Sequence, residues 1–215
     1  MKKSAFKLLA LLLLVSSLAM PFKAMAMPTN HTAITCNPKT TNFKMEQRKL
    51  WADHVFWTKN FIISDLASLG DVKAVSERLL KNQDDIGNSI KPYYGEKAGN
   101  QLAKLLREHI LIAVDVVHAA KSGNKAALNQ ANKRWYKNAD DIALFLSKAN
   151  PNWSFKTLQK MLHTHLQLLT EDVVARLNKN WQGSVEAFDK GEAHMLMLAD
   201  TLSEGIIKQF PNKFK

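Results

Sequence analysis

The chain has 215 residues, 46% of them hydrophobic, and its Lys and Arg outnumber its Asp and Glu 30 to 19, for a net charge of +11. The basic residues are spread along segments that also carry acids, with no clustered Arg/Lys run and no interleaved aromatics. That sets nucleic-acid binding aside and leaves weak attraction to an anionic surface as all the charge supports. Cys36 is the only cysteine, so no intramolecular disulfide forms and stability must come from packing.

Residues 1–26, "MKKSAFKLLALLLLVSSLAMPFKAMA", join a lysine-bearing start to an apolar run and a small-x-small site, Ala24-Met25-Ala26. This is the pattern of a signal peptide cleaved after Ala26. An uncleaved anchor is the rival reading, but the apolar run is short for a span of ~20 residues. No later segment is apolar enough to cross a bilayer. The expectation is an exported chain, periplasmic or secreted, with no transmembrane segment after cleavage. Residues 27–43 hold "PTNHTAITCNPKTTN", rich in Thr, Asn and Pro, and read as a flexible leader carrying His31 and Cys36. The "AITC" before Cys36 lacks a lipobox, which argues against a lipid anchor.

From residue 44 to 215 the apolar periodicity is helical almost without interruption, with Gly and Pro at the punctuation points. A first helix runs from about Met45 to Leu69, closed by Gly70. A shorter one follows from about Asp71 to Asn82, then an irregular stretch through "DDIGNSIKPYYGE". Further helices span about Glu96 to Lys121 and Lys125 to Lys148. The next begins after "NPNWS", with Ser154 as N-cap, and ends near Asn178. The last spans about Trp181 to Gln209 and stops before Pro211. Short connections make successive helices antiparallel neighbours. The predicted fold is therefore all-α: one domain, an antiparallel up-and-down helical bundle with one short extra helix.

Four of these helices place a histidine on an apolar face, where residues three, four and seven apart share a side. The sets are Leu50, His54, Trp57 and Phe61; Leu102, Leu105, His109, Ile112 and Val116; Leu158, Leu162, His165, Leu169 and Asp172; and Ala187, Gly191, His194, Leu198 and Thr201. Each histidine lies near the middle of its helix, so at ~1.5 Å per residue His54, His109, His165 and His194 are predicted to meet in one layer. Inward imidazoles on facing helices are how bundles build transition-metal sites, and neutral nitrogen suits Zn, Cu, Ni or Fe. Glu108, Asp172 and Asp200 are candidate carboxylates around that layer, as ligands or as acceptors that fix an imidazole tautomer. Asn138 and Asp141, in "RWYKNADDIALF", are further polar candidates beside it. For any single histidine, a hydrogen-bonded core imidazole is the plainer reading. His31, His118 and His163 fall off the shared face and read as structural or solvent residues. The paired Glu-x-x-His of di-iron bundles and the His-Glu-x-x-His of zinc proteases are both absent.

The segments "LWADHVFWT", "LLREHI", "RWYKNADDIA", "NPNW", "HLQLLTEDV" and "MLMLADTLSEGIIKQFP" resemble a family of uncharacterised exported bacterial helical proteins, over about Trp51 to Pro211. Some relatives carry a glycosyltransferase label. This sequence does not support it, because it has neither strand alternation nor a Gly-rich phosphate loop. The resemblance implies a helical fold and export, and carries no site residues. Two functional expectations follow: a metal ion or metal-bearing cofactor bound by the histidine layer, or a non-catalytic small-ligand or protein-binding module with hydrogen-bonded core histidines. No spacing identifies a catalytic residue.

Overall fold

The computed structural model describes residues 37–215. The signal segment, its cleavage site, His31 and Cys36 lie outside the described residues.

The helices are α1 (Pro38–Leu66), α2 (Val72–Ser89), α3 (Lys91–Lys121), α4 (Lys125–Ala149), α5 (Phe155–Leu177) and α6 (Trp181–Gln209), closed by a 3-10 turn at Pro211–Phe214. Among the described residues there is no strand, and no helix is long and apolar enough to cross a membrane. Side-chain caps begin four of the helices by satisfying orphan amides. Asn37 accepts from the Lys39 and Thr40 amides, Asn124 from Ala127, Ser154 from Thr157 and Asn180 from Gly183.

Each helix packs on its neighbours in sequence, and α6 returns to pack on α1, so the six form a closed ring. Across the interior, α3 also touches α1 and α5. These alternate members of the ring carry His54, His109 and His165. The larger apolar core includes Trp51 and Val55 on α1 and Leu158, Leu162 and Leu166 on α5. A smaller one includes Phe61, Ile62 and Val173. On α1 and α5 the histidines fall where the first gives way to the second.

Three expectations about local structure need correction. First, α1 begins at Pro38, inside the segment read as leader. Asn37 caps it, Pro38 has the fixed φ suited to a first turn, and Phe43 packs on the rings of Tyr93 and Phe214 at 5.1 and 5.2 Å. Second, α1 ends at Leu66, and the left-handed residue that turns the chain is Ser68 (φ 54°) rather than Gly70. Third, the stretch read as irregular is helical. α2 runs on to Ser89, Ile90 alone separates it from α3, which starts at Lys91, and α3 is kinked at Gly95 (φ 82°, ψ 169°), a conformation that only glycine adopts cheaply. Gly87 and Gly99 allow the two helices to touch there: a Cβ on Gly87 would lie 2.6 Å from the Gly99 carbonyl oxygen. The extra helix is thus a full member of the ring.

Candidate ligand site in the histidine layer

His54, His109 and His165 are buried at 2%, 3% and 5% exposure. The His54 and His165 ring centres are 5.5 Å apart, and those of His109 and His165 are 6.2 Å apart. An indole flanks the group at each end. Trp51 meets His54 edge-on at 5.8 Å, and Trp135 lies 5.5 Å from His109. α1, α3 and α5 thus bring three imidazoles together with His165 in the middle, in ring contact with both His54 and His109, and α1 and α4 close the ends.

Burial in this low-dielectric interior disfavours the imidazolium form. It lowers the pKa of His54 to about 3, with repulsion from His109 adding to the effect. It lowers that of His109 to about 4, partly offset by the bond to Asn138. It holds His165 well below the usual value, and His54, His109 and His194 push the same way. All three rings are therefore neutral at pH 7, the form that offers a nitrogen lone pair.

Hydrogen bonds assign the tautomers. His109 Nδ1 lies 2.7 Å from Asn138 Oδ1, while the Asn138 amide nitrogen donates to the Leu105 carbonyl at 3.2 Å. His109 therefore donates from Nδ1 and keeps Nε2 bare. His54 Nδ1 lies 3.3 Å from Gln83 Nε2, whose other partners are the Leu79 carbonyl and Asn82 Oδ1. Both of those are acceptors, so the amide nitrogen is a donor, His54 accepts at Nδ1 and its proton is on Nε2. Among the described residues, neither nitrogen of His165 has a hydrogen bond.

His165 also lines a cavity of ≈ 20 Å³ between α1, α5 and α6, together with Val55, Lys59, Leu169, Asp172 and Gly191. That volume holds about one water-sized body, which is too little for a haem-sized group. Along its wall Lys59 donates to both Asp172 oxygens at 2.7 and 2.8 Å and to Ser184 Oγ at 2.8 Å. This buried ion pair clasps the three helices that frame the cavity.

His194 is less buried than the trio. It is half-buried, and its Nε2–H donates to the Met161 carbonyl at 2.7 Å, leaving only Nδ1 available. Of the polar candidates, Asn138 alone bonds a layer histidine. Glu108 and Asp141 line an outer groove with Lys137, to which Asp141 is paired. Asp172 is committed to Lys59 and Ser184, and Asp200 to Arg48 at 2.6 Å. A helical wheel places these acids within a turn of the layer, but their side chains point to cations or solvent. His118 pairs with Asp65, and His163 with Asp140. Gln83 and Lys59 escaped the sequence reading because neither sits beside a motif. Gln83 does lie on the buried face of α2 with Leu79 and Ile86, where an uncharged amide four residues from a leucine is a detectable signal.

Two imidazoles on one tetrahedral metal, with bonds of about 2.0–2.1 Å, have ring centres about 5–6 Å apart. His54 and His165 fall in that range at 5.5 Å, and His109 and His165 lie just beyond it at 6.2 Å. The nitrogen directions do not yet match shared ligation. Among the described residues no group of three or more His, Cys, Asp or Glu is arranged to hold a metal as it stands. His54 is held with Nδ1 on Gln83 as the Nε2–H tautomer, whereas His109 keeps a bare Nε2. Ligation requires ring rotation and transfer of the His54 proton. Comparison of the chain with family models, with curated proteins and with solved structures returned no match.

Proposed function

We propose that this chain is an exported bundle protein that binds one transition-metal ion of the Zn, Cu, Ni or Fe class through His54, His109 and His165. His194 Nδ1 is the candidate fourth ligand. The observation that carries the reading is the contact of three buried, neutral imidazoles drawn from three alternate helices. A core that needed only volume would be better served by leucine, since each imidazole brings polar atoms that cost free energy when unpaired. Asn138 supports the assignment by holding His109 as an outer hydrogen-bond partner holds a ligand. A membership in the exported helical family described above fits the same picture. The small cavity favours a bare ion over a metal-bearing cofactor.

Metal content of tag-free protein, followed by Zn(II) and Co(II) titration, tests the proposal. One ion per chain is expected, abolished in the His54→Gln/His109→Gln/His165→Gln variant. Undiminished binding by that variant, or none by the wild type, overturns it. A second reading is favoured by the His54 tautomer: a metal-free layer that acts as an acid-sensitive latch within a module binding a small ligand or a protein. Under that reading the wild type binds no metal, while its compactness still changes with pH.

A further inference from the structure

The α1–α2, α3–α4 and α5–α6 connections lie at one end of the ring. Lys121, at the end of α3, donates to the Asp65 carbonyl and to Ser68 Oγ, which puts the α3–α4 turn beside the α1–α2 turn. The pairs Lys44–Glu204, Arg48–Asp200 and Lys59–Ser184 set α1 antiparallel to α6, so the last turn of α1 is level with Trp181 at the start of α6. Connecting turns normally present polar side chains to water. This end instead exposes Leu69 at 46%, Leu177 at 38% and Trp181 at 57%. Val174 and Val185 are also exposed, one turn back on the faces of α5 and α6 that carry Leu177 and Trp181. The Trp181 ring meets only the Arg176 guanidinium, 5.5 Å from its centre. At the opposite end the 3-10 turn lays Phe214 on Phe43 and Tyr93, and both phenylalanines are buried.

The same three connections carry Lys73, Lys121, Lys125, Arg176 and Lys179, with Asp71 as their acid. Lys73 is paired with Glu77, whereas Lys121 bonds neutral oxygens, and Lys125 and Lys179 have no ion pair among the described residues. Exposed tryptophan and leucine amid unpaired cations match the chemistry of an anionic lipid surface. An indole settles at the level of the headgroups, aliphatic side chains reach the acyl boundary, and lysines meet the anionic charge. A second copy of the chain on this end would bring the same unpaired cations face to face, which repel. The apolar side chains also stand on turn tips and first turns, where a planar surface reaches them without a groove.

Independently of the metal reading, we infer that this end of the bundle docks on a bilayer surface rich in anionic lipid. Leu69, Leu177 and Trp181 enter the headgroup region, and Lys121, Lys125 and Lys179 face the anionic headgroups.

The described residues form one compact unit, so the chain from Met27 onward is the test protein, with chelator present throughout to keep metal out of the readout. It is mixed with vesicles of equimolar phosphatidylglycerol and phosphatidylcholine, or of phosphatidylcholine alone, and binding is followed by co-sedimentation. Tryptophan quenching by brominated lipid reports insertion. Binding to the anionic vesicles alone is expected, weakened by salt, with quenching that Trp181→Phe removes. Affinity should fall about tenfold or more in Trp181→Ser and in Lys125→Gln/Lys179→Gln, and by less than about twofold in Lys213→Gln/Lys215→Gln at the opposite end. These substitutions are all at exposed side chains, so the variants keep the core. No binding, equal binding to neutral vesicles, equal losses in the two lysine variants, or quenching that survives Trp181→Phe overturns the inference. So does a lipid-free dimer that Trp181→Ser dissociates, which would assign this end to a second copy.

Discussion

Acidification of the metal-free protein is the perturbation whose size follows most directly from the buried layer. His54 and His109 titrate near 6.5 in the unfolded chain and at about 3 and about 4 in the folded one. Above pH 6.5 both states leave them neutral and nothing is lost. Below it the unfolded chain takes up protons that the folded chain refuses, so stability falls as pH falls, and the loss is complete only below the folded values. At pH 5 each ring costs roughly 1.4 kcal/mol for each of the one and a half pH units below 6.5, or about 2 kcal/mol. Both together cost about 4 kcal/mol, a large part of the 5–15 kcal/mol typical of a domain. His165 adds in the same direction. The assay is urea unfolding with chelator present, at several pH values from 7.5 to 5.0, for wild type and for His54→Gln/His109→Gln. The wild-type stability should fall more steeply by about 2.7 kcal/mol per pH unit in the lower half of that range, the double variant cancelling the contributions of surface carboxylates. Equal slopes would refute the argument, as would NMR evidence that the His54 and His109 rings are charged in folded wild type at pH 5.5.

The remaining predictions concern packing and charge. Lys59→Met leaves the Asp172 carboxylate, 5% exposed, with only Ser184 as a partner. It should cost about 3–5 kcal/mol, whereas Lys59→Met/Asp172→Leu should cost far less; equal losses in urea unfolding would show that the pair is not a buried charge problem. Gly205→Ala gains about 1 kcal/mol of helix propensity, but its Cβ would fall 1.9 Å from Trp153 Nε1, which bonds the Thr201 carbonyl at 3.3 Å. Overpacking should win by about 1–3 kcal/mol, and a raised melting temperature would contradict that.

Periodicity alone determined the helices, their order and the histidines on apolar faces, because burying a stripe requires i, i+3, i+4 spacing whatever the partner is. Ser154 as a cap was legible for the same reason: the signal is local. The partners were not. Whether Glu108, Asp172 and Asp200 face the layer or a cation depends on a fraction of a turn, and Asp172 finds Lys59 from 113 residues away. Gln83 reaches His54 from α2, which packs on α1 and runs through a stretch whose Gly and Pro suggested a break. The N-terminal turn of α1 likewise depends on Phe43 meeting Phe214 from the far end of the chain. Local propensity proposes an element, and long-range contacts decide where it stops and what its polar groups bond. For the histidine layer, that decision chose amides and indoles over carboxylates.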